Sequence, residues 1–90
     1  MLNLIVENSF DRDYKRELKS GLDKQALLNV VDRLQAQESL EKKYRDHALK
    51  GDYMGFRECH IKPDLLLIYQ IKENNLYLVR LGSHSKLFKS

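Results

Sequence analysis

The chain has 90 residues, of which 42% are hydrophobic and 32% charged, and its formal net charge at pH 7 is +3. A chain of this length forms one domain with one small core. No apolar run approaches the roughly 20 residues that span a membrane, and the apolar start is too short for a signal peptide. The single cysteine, Cys59, has no partner for an internal disulfide. We therefore expect one domain over residues 1–90, in the cytoplasm and without a membrane partner.

The first half of the sequence predicts one strand followed by two helices. Residues 2–6 form a short apolar run that favours a strand. The next apolar residues recur at helical spacing: Phe10, Tyr14 and Leu18. Asn8 or Ser9 can cap this helix, and Gly21 can end it. Asp23 is a good N-cap for a second helix, which continues to about residue 37, so the pair predicts an antiparallel hairpin with one apolar side.

The apolar period changes to two in the second half. Residues 38–52 lack a clean period and predict a polar connection with room for one helical turn. Strands are predicted at residues 54–61, 65–71 and 76–81, of which the second is apolar on both faces and therefore central. The order β-α-α-β-β-β predicts an α+β fold, with the helical hairpin packed on one face of a mostly antiparallel four-stranded sheet. The opposite face is left partly uncovered, and we expect the functional site there.

All three histidines lie in this second half, at the edges of predicted strands: His47, His60 and His84. Histidine is the side chain whose unperturbed pKa, about 6.5, lies near neutral pH. Two such groups on opposite sides of a phosphate can remove one proton and deliver another. The arginines Arg57 and Arg80 can neutralise the phosphate through paired N–H donors. The pattern therefore suggests proton transfer at a phosphate group.

Each candidate also has a purely structural interpretation. His47 can be a surface or capping residue, and His84 a loop residue or a helix cap. His60 can face the core, Asp64 can serve only the turn that follows proline, and Arg80 can be merely solvated. These alternatives stay open when the residues are taken one at a time.

Three further residues need an interpretation. We interpret Glu58 as structural or as a salt-bridge partner of Arg57, and Cys59 as a small core residue. Zinc is the sharpest competitor to protonic chemistry, because three histidines and nearby aspartates can ligate it. However, the sequence has neither H-x₃-H nor C-x₂-C spacing. We therefore expect neither a metal nor another cofactor.

Four motifs follow one another in the second half. They are D-H-x-L-x-G at residues 46–51, F-R-E-C-H-I-K-P-D at 56–64, L-L-I-Y at 66–69 and R-x-G-S-H-S-x-L-F at 80–88. In these motifs the chain resembles the YafQ branch of the RelE/ParE toxin superfamily, and its first half matches that branch in layout. It departs from RelE-like members, which carry arginine at the places of Leu66 and His84.

The resemblance implies the toxin of a type II toxin–antitoxin system, a metal-independent endoribonuclease that cleaves mRNA on the ribosome and is inhibited by a cognate antitoxin. It implies four catalytic residues: His47, His60, Asp64 and His84. Arg80 and Phe88 match positions that line the site, and Phe88 can stack on a base. We hypothesise that His84 is the general acid, that His60 or Asp64 is the base, and that His47 contributes to phosphate binding or acid–base catalysis.

A non-catalytic binding module on the same fold is the alternative. Such a module would act only through protein partners, such as its antitoxin or a topoisomerase. The histidines discriminate between the two hypotheses, because a pure binding module has no need of them.

Overall fold

The computed structural model describes residues 1–88 and confirms the α+β class. The helices and strands are β1 (Asn3–Val6), α1 (Asn8–Lys19), α2 (Lys24–Gln35), β2 (His47–Ala48), β3 (Arg57–Lys62), β4 (Leu65–Lys72), β5 (Asn75–Gly82) and α3 (His84–Leu87). Two short 3₁₀ turns, Lys42–Tyr44 and Gly51–Tyr53, flank β2. Within residues 1–88, no helix has the length and apolar character needed to cross a membrane.

The sheet has five strands in the order β1-β5-β4-β3-β2. Strand β1 runs parallel to β5, and the other neighbouring pairs are antiparallel. The sequence predicted four strands, because the fifth, β2, has only two residues and is too short to show a period of two. Strand β3 begins later than predicted, at residue 57. The chain before it makes a 3₁₀ turn and passes through Gly55 at φ 95°, a conformation that favours glycine.

The helical hairpin packs on one face of the sheet, as predicted. Asp23 caps α2 by accepting a hydrogen bond from the backbone N–H of Ala26 at 3.1 Å. Cys59 is fully buried in the core, and this burial raises the pKa of its thiol to about 12. The main contributors to the core beneath the helices are Phe10, Leu27, Val30, Val31, Leu34, Leu67, Tyr69, Leu76, Leu78 and Leu81.

Polar side chains of α1 complete the edge of β5. Strand β1 pairs only with the first half of β5, so the second half has free backbone groups. Ser9 Oγ donates to the carbonyl of Val79 at 2.6 Å, and Arg16 Nη2 donates to the carbonyl of Leu81 at 3.0 Å. The carboxylate of Asp13 accepts from the N–H of Leu81 at 3.0 Å. Ser9 was a predicted helix cap, but its hydroxyl bonds to the sheet instead.

Candidate active site

Side-chain alternation along β3 and β4 gives the sheet two faces. Cys59 and its register partner Leu67 point into the core beneath the helices. Their neighbours Glu58 and Ile68 point to the opposite side, which we call the open face. Three buried residues form an apolar floor on this face: Leu66, Ile68 and Leu87. Partly buried side chains pack around that floor: Leu49, Tyr53, Phe56, Val79 and Phe88.

Strand β2 places His47 opposite Glu58. His47 Nε2 lies 3.1 Å from Glu58 Oε2, and His47 Nδ1 lies 2.6 Å from the carbonyl oxygen of Arg45. Because a carbonyl oxygen only accepts, Nδ1 must carry a hydrogen, and a further proton between Nε2 and Oε2 makes the second bond. The two contacts fix the orientation of the imidazole ring.

Glu58 joins two of the histidines. It is only 5% exposed, and its Oε2 also lies 3.9 Å from His60 Nε2. Its other oxygen, Oε1, is buried and has no hydrogen-bond partner within residues 1–88. A buried carboxylate is costly without a cationic partner, and these two imidazoles are the groups placed to supply one. We call His47, Glu58 and His60 the histidine–glutamate unit.

Arg57 lies on the other face of the sheet, so the predicted pair between Arg57 and Glu58 is wrong. Adjacent residues of a strand point to opposite faces, and Arg57 is the register partner of Tyr69. Its Nε donates to Asp46 Oδ1 at 3.2 Å, and the same oxygen accepts from the hydroxyl of Tyr69 at 2.5 Å. Burial and this hydrogen bond raise the pKa of the Tyr69 phenol. The geometry therefore gives Arg57 a structural partner and does not support the phosphate contact predicted for it.

Arg80 is held by a carboxylate from α1. Its Nε donates to Asp13 Oδ2 at 2.6 Å and its Nη2 to Oδ1 at 3.3 Å, while Arg16 Nη1 donates to Oδ1 at 3.0 Å. Burial by itself would raise the pKa of Asp13. The hydrogen bonds from Arg80 and Leu81 and the two guanidinium charges outweigh it and hold that pKa below its usual value. Arg16 also pairs with Glu17 at 3.2 Å, and Lys86 contacts the same carboxylate at 3.4 Å, so three cations share two anions and the group keeps a net positive charge.

Helix α3 presents His84 on the open face. Ser83 caps this helix by accepting from a backbone N–H at 3.3 Å, and Leu87 is buried in the apolar floor. The His84 ring centroid lies 4.9 Å from that of Phe88, and Phe88 packs edge-on against Tyr53 at 5.7 Å. His84 is thus the first residue of a short helix rather than a loop residue. It stays exposed while its neighbours hold it in place.

Asp64 lies apart from these contacts. It occupies the turn between β3 and β4 and is exposed. Among residues 1–88, no hydrogen bond or ion pair joins its carboxylate to the histidine–glutamate unit. The geometry therefore brings His47 and His60 together and leaves Asp64 at the margin.

Comparison with known proteins decides the family. Residues 2–89 match the family described as "Bacterial toxin of type II toxin-antitoxin system, YafQ". This chain belongs to the YafQ toxin family. The resemblance found in the four motifs is confirmed, and it extends over both halves of the chain.

Curated members of the YafQ family match over a shorter stretch. The mRNA interferase toxin YafQ of Escherichia coli K12 is 42% identical over 45 residues, which is 50% of this chain and 49% of that protein. The putative toxin YafQ of Haemophilus influenzae is 45% identical over 51 residues, or 52% and 50% of the two chains. The matched part thus spans about half the length of these curated relatives.

Solved structures of bacterial toxins match over almost the whole fold. A metal-bound toxin from Helicobacter pylori is 54% identical, with a TM-score of 0.92 over 98% of this chain and 100% of that one. A copper-bound mutant toxin from the same organism is 48% identical, with a TM-score of 0.95 over the same shares of the two chains. YafQ in the E. coli DinJ–YafQ complex is 29% identical, with a TM-score of 0.89 over 98% and 99%.

Imidazole and carboxylate groups such as those of the histidine–glutamate unit are also common metal ligands. Within residues 1–88, no three side chains of His, Cys, Asp or Glu are arranged to hold a metal ion. His47 and Glu58 approach to 3.1 Å, whereas His60 is 3.9 Å from the same oxygen.

Sequence reasoning undervalued two acidic residues of this site. Glu58 stands two positions before His60, and on a strand that spacing places both side chains on one face. The period of two was therefore a usable signal for Glu58. Asp13 gave no comparable signal, because its partner Arg80 lies on a distant strand and an aspartate in the first turns of a helix is ordinary.

Proposed function

We propose that this chain is the toxin of a type II toxin–antitoxin system and cleaves messenger RNA on the ribosome, using protonic groups of the open face. The observation that carries the proposal is the gathering of imidazoles with a buried carboxylate on one face, beside an arginine with net positive surroundings. The mRNA interferase name of the E. coli relative supports the choice of substrate.

The proposed first step is attack by the 2′-hydroxyl oxygen of a ribose on the adjacent phosphorus. We assign His60 as the base that takes the hydroxyl proton, with Asp64 as the alternative. The imidazolium that forms lies near Glu58, whose negative charge stabilises it. His47 can donate to a phosphate oxygen through Nε2 once its contact with Glu58 opens, since its Nδ1 hydrogen is held by the carbonyl of Arg45.

The proposed second step breaks the bond between phosphorus and the 5′-oxygen. His84 gives its proton to that oxygen, which leaves as a 5′-hydroxyl, and the other fragment keeps a 2′,3′-cyclic phosphate. Arg80 stabilises the doubly charged phosphorane between the two steps, because Asp13 orients its guanidinium. Phe88, already packed against His84, provides a ring on which an unpaired base can stack.

Expression in a host that lacks the antitoxin tests this function directly. We expect growth to stop, and mapping of RNA ends should reveal new cleavages inside translated messages. The His84→Ala variant, produced at the same level, is the matched control and should leave transcripts whole. Intact transcripts in cells that contain soluble wild-type protein would favour the non-catalytic binding module.

We propose that the reaction needs no metal, although related toxins from H. pylori are described as copper-bound and metal-bound. The proposed steps require only a proton acceptor, a proton donor and a cation at the phosphate. Copper would take the imidazole lone pairs that these steps use, because imidazole nitrogens are good copper ligands.

Cleavage of a minimal RNA substrate should therefore survive EDTA, and added Cu²⁺ should inhibit it. The measurement is the rate of product formation in chelator, in buffer alone and with a stoichiometric series of Cu²⁺. Zn²⁺ and Mg²⁺ serve as comparison ions. A rate that is lost in chelator and restored by one ion alone would contradict the proposal.

We propose that the antitoxin of this chain binds beside β1, where an apolar groove of about 310 Å³ lies between α1 and α2. The E. coli relative has been solved in complex with DinJ, which supports an antitoxin partner. Leu4, Val6 and Leu28 line the groove and are 44%, 48% and 52% exposed. A contiguous exposed apolar surface of this kind marks an interaction site.

The Leu28→Lys variant should weaken antitoxin binding without slowing RNA cleavage. Leu28 is half exposed on α2, so a lysine costs the fold little but places a charge in the groove. Titration calorimetry with the antitoxin gives the affinity, and loss of tenfold or more is expected. Lys24→Leu, at the rim of the same groove, is a control that removes a charge. Unchanged affinity of Leu28→Lys would place the antitoxin elsewhere.

A further inference from the structure

A second concave surface lies next to the open face, and apart from His60 its residues have no role in the reaction described above. It is a cleft of about 560 Å³ between α2, the first 3₁₀ turn and the end of β3. Its lining includes three cationic side chains: Lys43, Arg45 and Lys62. The amide of Asn29 and the ring of Tyr44 also line it. We call this surface the basic cleft.

The basic cleft keeps most of its positive charge. Lys62 pairs with Asp23 at 3.2 Å, but both side chains are 49% exposed, so the pair is screened by solvent and weak. The ammonium of Lys43 lies 5.2 Å from the centroid of the Tyr44 ring, an attraction that leaves the charge in place. Three cations thus face one exposed acid, a balance that favours an anionic ligand.

Two residues connect the basic cleft to the histidine–glutamate unit. Arg45 lines the cleft, and its carbonyl accepts from His47 Nδ1. It does so at φ 49°, a left-handed conformation that costs a non-glycine residue about 1 kcal/mol. His60 lines the cleft as well and approaches Glu58 from the other side. The basic cleft is therefore directly adjacent to the histidine–glutamate unit.

Strand pairing leaves a path between the two surfaces. Strand β2 pairs only with residues 57 and 58 of β3, so within residues 1–88 no strand pairs with this edge of β3 from His60 onward. A ligand strand on the open face can pass His60 at this edge and reach Lys62 and Lys43 without crossing a strand of the sheet. The continuity favours a ligand that is long, flexible and charged along its length.

We propose that the basic cleft binds backbone phosphates of the substrate RNA, on one side of the cleaved bond. This inference rests on the proposed function and adds a binding site to it. Single-stranded RNA fits the cleft because its phosphates can lie along the three cations. Each phosphate contact releases counterions from the RNA. The slope of log K against log salt is therefore proportional to the number of phosphate contacts.

The test measures the affinity of a fluorescent single-stranded RNA by anisotropy at several salt concentrations, in a His84→Ala background that does not cut the probe. The double variant Lys43→Gln/Lys62→Gln is compared with Lys19→Gln/Lys72→Gln, which changes the net charge equally outside the cleft. Loss of two contacts should reduce the slope of log K against log salt by about 1.4. At 1 M salt the cleft double variant and the wild type should bind RNA equally. At 0.1 M salt the variant should then bind roughly 25-fold more weakly than the wild type. The control double variant should change the slope far less.

Arg45→Asn gives an independent arm. Asparagine tolerates the left-handed conformation, so the carbonyl can still hold His47 while the cation is removed. The slope should fall by about 0.7. Equal slopes for the cleft and control double variants would overturn the inference even if wild-type protein cleaves RNA.

The remaining outcomes separate this inference from the proposed function. RNA binding with the expected loss of slope, in a protein that never cleaves, would overturn the nuclease proposal and support the cleft. Weaker binding of the antitoxin in the cleft double variant, with RNA affinity unchanged, would assign the cleft to an acidic protein segment and overturn the inference.

Discussion

Replacing His84 with alanine should lower the rate of RNA cleavage by about 10²–10⁴-fold and leave the fold intact. The loss follows from the proposed role of His84, because the departing 5′-oxygen is a poor leaving group unless it is protonated. The fold should survive, because Leu87 anchors α3 while the imidazole of His84 is exposed. Single-turnover cleavage gives the rate, and thermal unfolding checks the fold.

Ser85→Ala is the matched control for His84, since it changes an exposed neighbour on the same short helix. It should cleave at nearly the wild-type rate. A folded His84→Ala protein that also cleaves at the wild-type rate would remove this histidine from the mechanism. An equal loss in both variants would mean that the helix as a whole, and not the imidazole, matters.

Replacing Asp13 with alanine should destabilise the protein by about 3 kcal/mol, because it removes one member of a buried, hydrogen-bonded charge network. Asp13 is 4% exposed and accepts from Arg80, Arg16 and the backbone of Leu81. Its loss leaves Arg80 and the N–H of Leu81 without this acceptor, while Arg16 keeps its contacts with Glu17 and with the carbonyl of Leu81. For a domain of this size the melting temperature should fall by roughly 12–24 °C.

The pH dependence of stability gives a second readout on Asp13. The folded-state pKa of Asp13 lies below its value of about 3.9 in the unfolded chain. Its stabilisation is therefore complete above the unfolded pKa and is lost as the pH falls through the folded pKa. Asp13→Ala should lack this part of the acid-side decline. Asp11→Ala is the control, because Asp11 pairs with Lys15 at an exposed site on the same helix.

A melting temperature that falls as little in Asp13→Ala as in Asp11→Ala would contradict the network. Urea unfolding at neutral pH should rank the two variants in the same order as heating. RNA cleavage by Asp13→Ala, measured where the protein is still folded, should be slower than wild type because Arg80 loses the group that orients it.

Long periodic segments of the fold were predictable from the sequence. The run at residues 65–71 is apolar on both faces of a strand, and it forms most of the buried strand β4. The helical hairpin was predicted from the helical spacing of its apolar residues and from Asp23, which caps α2 as expected. The short elements were not predictable. Strand β2 has two residues and α3 has four, and neither length can display a period.

In the candidate site, the histidines were predictable from the sequence, but their partners were not. The histidines were found because their chemistry is rare in the chain, and the motifs supplied their order. The partners of those residues depend on strand register and on contacts between distant segments. Arg57 was given to the site although its strand turns it to the other face, and Asp13 was overlooked because Arg80 lies 67 positions away.

The parallel pairing of β1 with β5 determines when this protein can become active during its own synthesis. Asn3 pairs in register with Asn75, 72 positions later, so the sheet closes only after the last strand is made. Arg80 then docks on Asp13, and His84 and Phe88 follow in the chain. A nascent chain therefore lacks its proposed acid, phosphate cation and stacking ring until residues 80–88 have been made. The proposed nuclease therefore cannot act on the ribosome that makes it before these residues have been made, and the proposed antitoxin can meet it at that moment.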